Sequence, residues 1–125
     1  MTEIEAQTLT TCQVASDGSS VRLQFIDANG QAGALAFPVG VLSSLVMTLP
    51  ALANAALQAR HHDPSLRIVY PLGSFAVEAA GGRPSSILTL RTPDGFTVSF
   101  EIGPETAIPL QVALAAAPGS PVMLQ

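Results

Sequence analysis

The 125-residue chain has no lysine and no tryptophan, one cysteine and one tyrosine. Charged residues make up only 11%, against about 25% in an ordinary globular domain. Each scarcity closes a door. The five basic residues, Arg22, Arg60, Arg67, Arg83 and Arg91, are scattered, and the net charge is −4. Nucleic-acid binding needs clustered Lys and Arg to displace phosphate counterions, so no nucleic-acid partner is expected. A stacking platform for bases or sugars is hard to assemble without Trp and with Tyr70 alone. Cys12 has no second cysteine to pair with, so there is no internal disulfide framework. A reducing, cytoplasmic setting is the simpler expectation. "MTEIEAQ" at the N-terminus is acidic and lacks the basic lead and apolar core of a secretory signal.

Motifs for chemistry are equally scarce. The only histidines, His61 and His62, are adjacent, and no G-x-S-x-G is present. A Ser–His–acid arrangement is therefore not readable. "HHD", His61 to Asp63, offers metal donors, but adjacent residues point apart and no H-x-x-x-H or C-x-x-C supports them. They read better as the solvated end of a helix. Asp27 and Asp94 sit beside turns, where Asp usually bonds its own backbone rather than moving protons. "AAGGRPSS" lacks the G-x-x-x-x-G-K-[ST] of a phosphate loop and reads as a connection between strands. No catalytic, cofactor-binding or metal residue is assigned, and a non-enzymatic protein is expected.

What the sequence does contain is a repeat. "VRLQFIDANGQAGALAFP", Val21 to Pro38, has a counterpart in "SILTLRTPDGFTVSFEIGP", Ser86 to Pro104. At a spacing of 65, Leu23 and Phe25 meet Leu88 and Leu90, and Gly30 meets Gly95. Leu35 and Phe37 meet Phe100 and Ile102, and Leu45 and Leu49 meet Leu110 and Leu114. Two turns and two helices coinciding at one spacing point to a tandem duplication, with repeats over about 8–62 and 66–118 of a single domain spanning 1–125.

Each copy reads as three strands and a helix. "TLTTCQV" is the first strand, with Thr10, Cys12 and Val14 on one side. In "VRLQFI", Val21, Leu23 and Phe25 alternate with Arg22 and Gln24, the period of two of a half-buried strand. Asn29-Gly30 and Pro93-Asp94-Gly95 supply hairpin turns. "LRIVYP", Leu66 to Pro71, precedes the second copy and is read as extending its first strand past a break at Pro71-Leu72-Gly73. The predicted fold is α+β: a duplicated βββα unit, about six antiparallel strands covered on one face by two helices.

The first helix is the anomaly. From Ala28 to Ala59 there is no charged residue. Val39–Ala59 has the length of a membrane span. Yet it contains Ser43, Ser44, Thr48, Pro50, Asn54 and Gln58 and lacks anchoring flanks, so no membrane is expected. Pro50 predicts a kink, or a break at which Thr48 caps a second helix. Leu42, Leu45, Leu49, Leu52 and Ala56 form a stripe for the helix's own sheet. The opposite side, with Val41, Ser43, Ser44, Met47, Thr48, Ala51, Asn54 and Ala55, lacks the charge of a solvent face. The expectation is a homo-oligomer, most simply a dimer, through the Val39–Ala59 helix, in a protein whose work is protein binding, with the tail "PGSPVMLQ" as a further contact. The alternative is a small apolar-ligand binder, its pocket between helices and sheet lined by Phe25, Phe37, Phe75 and Phe100.

Overall fold

The structure is a computed structural model, and it describes residues 1–116; "PGSPVMLQ" lies outside the described residues. Its elements run β1 (Ala6–Val14), β2 (Ser20–Asp27), β3 (Ala32–Pro38), α1 (Val39–His61), β4 (Ser74–Ala79), β5 (Ser86–Arg91), β6 (Thr97–Ile102) and α2 (Pro104–Ala115). Strands β1-β2-β3 form one antiparallel sheet and β4-β5-β6 another. The fold is thus α+β with the βββα unit present twice. The chain divides into two compact units, Met1–Ile68 and Val69 onward.

The two units share one hydrogen-bond plan. In unit 1, Val14 pairs with Val21 and Val21 with Phe37. In unit 2, Ala79 pairs with Ser86 and Ser86 with Ile102, each 65 positions later. The first turns match as well: Gly18 N–H donates to the Ala15 carbonyl at 2.8 Å, and Arg83 N–H to that of Ala80 at 3.0 Å. Both helices also begin at equivalent positions, Val39 and Pro104.

The second turns are the most telling. Gly30 and Gly95 both take positive φ, +81° and +100°, which a β-carbon would resist. In unit 1 the Asp27 carboxylate accepts the Asn29 and Gln31 N–H groups, both at 2.9 Å. In unit 2 the position equivalent to Asp27 is Thr92. Its hydroxyl oxygen accepts the Phe96 N–H at 3.0 Å, the counterpart of the Gln31 bond. A carboxylate and a hydroxyl fill one structural role.

Local packing explains the strands. In unit 1, Val21, Phe25 and Phe37 are buried, on the face that also carries Leu23 and Leu35. Phe25 lies over Gly33, where a β-carbon would come within 2.7 Å of its ring. Unit 2 has Leu90 opposite Val98 at these positions. One copy pairs large with small, the other medium with medium. β1 departs from strict alternation. Its register shifts between Leu9 and Thr11, so Leu9, not Thr10, stands opposite Phe25. The irregularity moves Thr10 off the apolar face where a straight count had placed it.

α1 is one continuous helix with Pro50 inside it, and the expected break is absent. Thr48 does not cap a second helix; its hydroxyl donates to the Ser44 carbonyl at 2.7 Å. Ser43 and Ser44 bond back in the same way, to Val39 and Gly40. These bonds satisfy the hydroxyls inside the helix. The segment after α1 is not strand. Gln58 Nε2 donates to the Leu66 carbonyl at 2.8 Å, and the Ile68 N–H donates to Asn54 Oδ1 at 2.8 Å. Those backbone groups are taken by the helix and cannot extend β4.

Candidate interaction surfaces

α1 is tied to its sheet at one end. Val39 N–H donates to the Ser19 carbonyl at 3.2 Å, and α1 lies against β2 and β3. Leu42 and Leu45 are half-buried. A helix of 23 residues runs about 34 Å. Further along the same stripe Leu49 and Leu52 are 53% and 57% exposed, and Ala56 is exposed too. The stripe read as core is therefore covered in its first half only. No residue of α1 is buried.

A second flank of α1 is occupied. Asn54, Leu57 and Gln58 are half-buried, and residues 66–68 are bonded to Asn54 and Gln58. Asn54 thus serves its own chain, although the sequence placed it on the side meant for a partner. Met47, also on that side, is 81% exposed.

The helix ends at His62, which takes the left-handed conformation with φ 51°. Its N–H donates to the Ala59 carbonyl, and the Asp63 N–H donates to that of Gln58 at 3.0 Å. Asp63 Oδ1 accepts the Ser65 N–H and hydroxyl at 3.0 and 2.6 Å. These bonds, the hydroxyl's first, hold the Asp63 carboxyl below its ordinary value. His61, His62 and Asp63 thus build a helix terminus and a turn.

The other polar candidates are likewise engaged locally. Asp94 receives the Thr92 hydroxyl, which lowers its pKa. Asp27 holds the first-unit turn, as described. Arg83, in the glycine-rich connection, pairs with Glu101 at 3.0 Å. Cys12 is exposed on β1. Among the described residues no group of three or more His, Cys, Asp or Glu side chains is placed to hold a metal.

The phenylalanines fall in separate units. Phe25 and Phe37 are buried in unit 1, while Phe75 and Phe100 are 70% and 52% exposed in unit 2. Unit 2 carries a groove that the sequence had not announced. It has a volume of about 260 Å³, and Tyr70, Leu72, Leu90, Phe96, Val98 and Phe100 line it. Tyr70 stacks on Phe96 with ring centres 5.8 Å apart. Thr92, buried beneath the turn, orders the Phe96 backbone. Strand alternation could have placed Leu90, Val98 and Phe100 together; Tyr70 lies outside any regular element and gave no such signal. No residue of α2 lines this groove, so it is a sheet-and-loop feature rather than a pocket between helix and sheet.

Compared with protein-family models, with curated proteins and with solved structures, the chain matches none of them.

Proposed function

We propose that the chain is a non-enzymatic, cytoplasmic protein-interaction domain that works as a homo-oligomer, with α1 carrying the contact. The observation that supports this most directly is α1 itself: 23 residues, no buried side chain, and no charge before Arg60. A solvent-facing helix ordinarily carries charge on its outer side. An exposed apolar surface of this extent is the mark of an interaction site. A membrane passes the same test of length and hydropathy. Against a span, residues 66–68 are bonded along the last turns of α1 and bring Arg67 with them. Irregular backbone facing lipid is not tolerated within a bilayer. Sedimentation of the purified chain at micromolar concentration tests the reading: a discrete oligomer supports it, and a monomer at every concentration refutes it.

The groove of unit 2 favours a second reading, a binder of small apolar ligands. Its 260 Å³ is slightly below the roughly 300–1,000 Å³ of typical ligand pockets. Saturable binding of an apolar fluorophore, abolished by Phe100→Glu, would favour that reading over the first.

A further inference from the structure

We infer that Asn29 is a site of spontaneous deamidation, and that Asp27 holds the reaction in check by fixing the turn between β2 and β3. The chain has two asparagines, Asn29 and Asn54. Only Asn29 precedes a glycine, and it stands exposed in the hairpin turn. In such a pair the Gly30 backbone nitrogen attacks Asn29 Cγ. The bond from Cγ to Nδ2 breaks, and the proton lost from Gly30 passes through water to the departing nitrogen, which leaves as ammonia. Water then opens the cyclic imide at one of its two carbonyls. The product is aspartate, or isoaspartate with the backbone running through the former side chain. Glycine favours the attack because no β-carbon crowds the nitrogen.

The folded turn withholds that nitrogen. Gly30 N–H donates to the Asp27 carbonyl at 3.0 Å. Asn29 and Gln31 N–H, on either side, both donate to Asp27 Oδ1 at 2.9 Å. Asp27 N–H closes the turn on the Gln31 carbonyl at 2.8 Å. The Gly30 nitrogen cannot swing onto Asn29 Cγ while these bonds hold, so attack proceeds from the opened turn and its rate follows that population. Asn54 is protected differently. It lies within α1, where the following amide is bonded in the helix, and its Oδ1 accepts the Ile68 N–H.

Unit 2 shows which acid arrangement this turn accepts. Thr92 and Asp94 stand where unit 1 has Asp27 and Asn29, so each turn carries one carboxylate. Gly95 N–H keeps the equivalent bond, to the Thr92 carbonyl at 3.0 Å. Deamidation of Asn29 sets a second carboxylate two residues from Asp27, a like-charge pair that unit 2 avoids.

Ageing the full-length chain at mildly alkaline pH tests this. Trypsin releases residues 23–60, between Arg22 and Arg60, with both asparagines in one peptide. Fragment masses locate the lost amide, and enzymatic methylation specific to isoaspartate reports the product. Asn29 should deamidate at least about tenfold faster in urea than in buffer, the joint effect of several bonds of ordinary strength. In buffer, Asp27→Ala should speed the loss about fivefold, and Asp27→Thr, which keeps an acceptor, should fall between it and wild type. Thr92→Ala, which removes the equivalent acceptor from unit 2, should leave the Asn29 rate unchanged. A wild-type rate equal in urea and buffer, a rate indifferent to Asp27→Ala, an equal rise with Thr92→Ala, or loss of the Asn54 amide as fast as that of Asn29 in the folded chain would overturn the inference.

Discussion

Units 1 and 2 share a ladder and differ in what they do with it. Both run three strands into a helix with equivalent pairings, and both brace the second turn from one position, Asp27 or Thr92. Unit 1 then concentrates its apolar burial on Val21, Phe25 and Phe37 and extends a 23-residue helix. Unit 2 buries Ala80 and Thr92, keeps Phe75 and Phe100 exposed, and carries a helix of 12 residues. The ladder therefore tolerates wide changes in side-chain volume, because backbone pairing and turn geometry fix the topology. What diverges is the surface left over: an uncharged helical seam in one copy, an aromatic groove in the other.

Equivalent substitutions in the two units probe that difference. The largest effect is expected at Phe37, buried at the end of the unit 1 sheet. Phe37→Ala should cost about 3 kcal/mol in urea unfolding, whereas Ile102→Ala at the half-buried equivalent should cost only about 1 kcal/mol. Equal costs would erase the claimed contrast in burial. Next is Gly33→Ala, whose β-carbon meets the Phe25 ring at 2.7 Å. A loss of about 1–3 kcal/mol from overpacking is expected. Combining it with Phe25→Leu, which imitates unit 2, should recover part of that loss; no recovery would show that the two positions do not share a volume.

The turn substitutions examine what the units have in common. Asp27→Ala and Thr92→Ala should each cost about 1 kcal/mol by removing the side-chain acceptor of a backbone N–H. The exchange Asp27→Thr should retain more stability than Asp27→Ala, since a hydroxyl fills that place in unit 2. If Thr and Ala are equally damaging there, the correspondence of roles is wrong. His62→Gly should stabilise by about 0.5–1 kcal/mol, because His62 sits at φ 51° where glycine is unstrained.

The smallest effect is with pH. Asp17, Asp63 and Asp94 are held below the ordinary 3.8 by hydrogen bonds from Ser19, Ser65 and Thr92 respectively. A depressed carboxyl contributes stability that is complete above its unfolded value and is lost as pH falls through the lower folded one. Unfolding curves should hence be insensitive to these groups from neutral pH down to about 5 and weaken slightly below 3.8, with Asp63→Asn blunting the decline. A loss beginning near neutrality would point to other groups.

Much of the ladder was legible in the sequence because it is written in local terms. Gly30 and Gly95 announce the hairpins, Leu23 and Phe25 the strand period, and Pro38 and Pro104 the entries to the helices. Features decided by non-local bonds were not. The register shift near Thr10 leaves no mark in a seven-residue alternation. Leu66–Pro71 looks like strand until Asn54 and Gln58 claim its backbone. Pro50 argued for a kink or a break, and of these the break is absent because α1 runs through it. For the surfaces, lack of charge marked α1 correctly as unusual. The sequence could not show that the leucine stripe outruns its three-stranded sheet, since stripe length is local and sheet width is not.

Hydrogen exchange on the intact wild-type chain tests the account most directly, because it reads both helices in one sample at two concentrations. Protection of amides from Val46 to Ala59 should rise between about 1 and 100 µM, while that of Pro104–Ala115 stays constant. Exchange in α1 that is identical at both concentrations would contradict the claim that α1 carries the contact between copies.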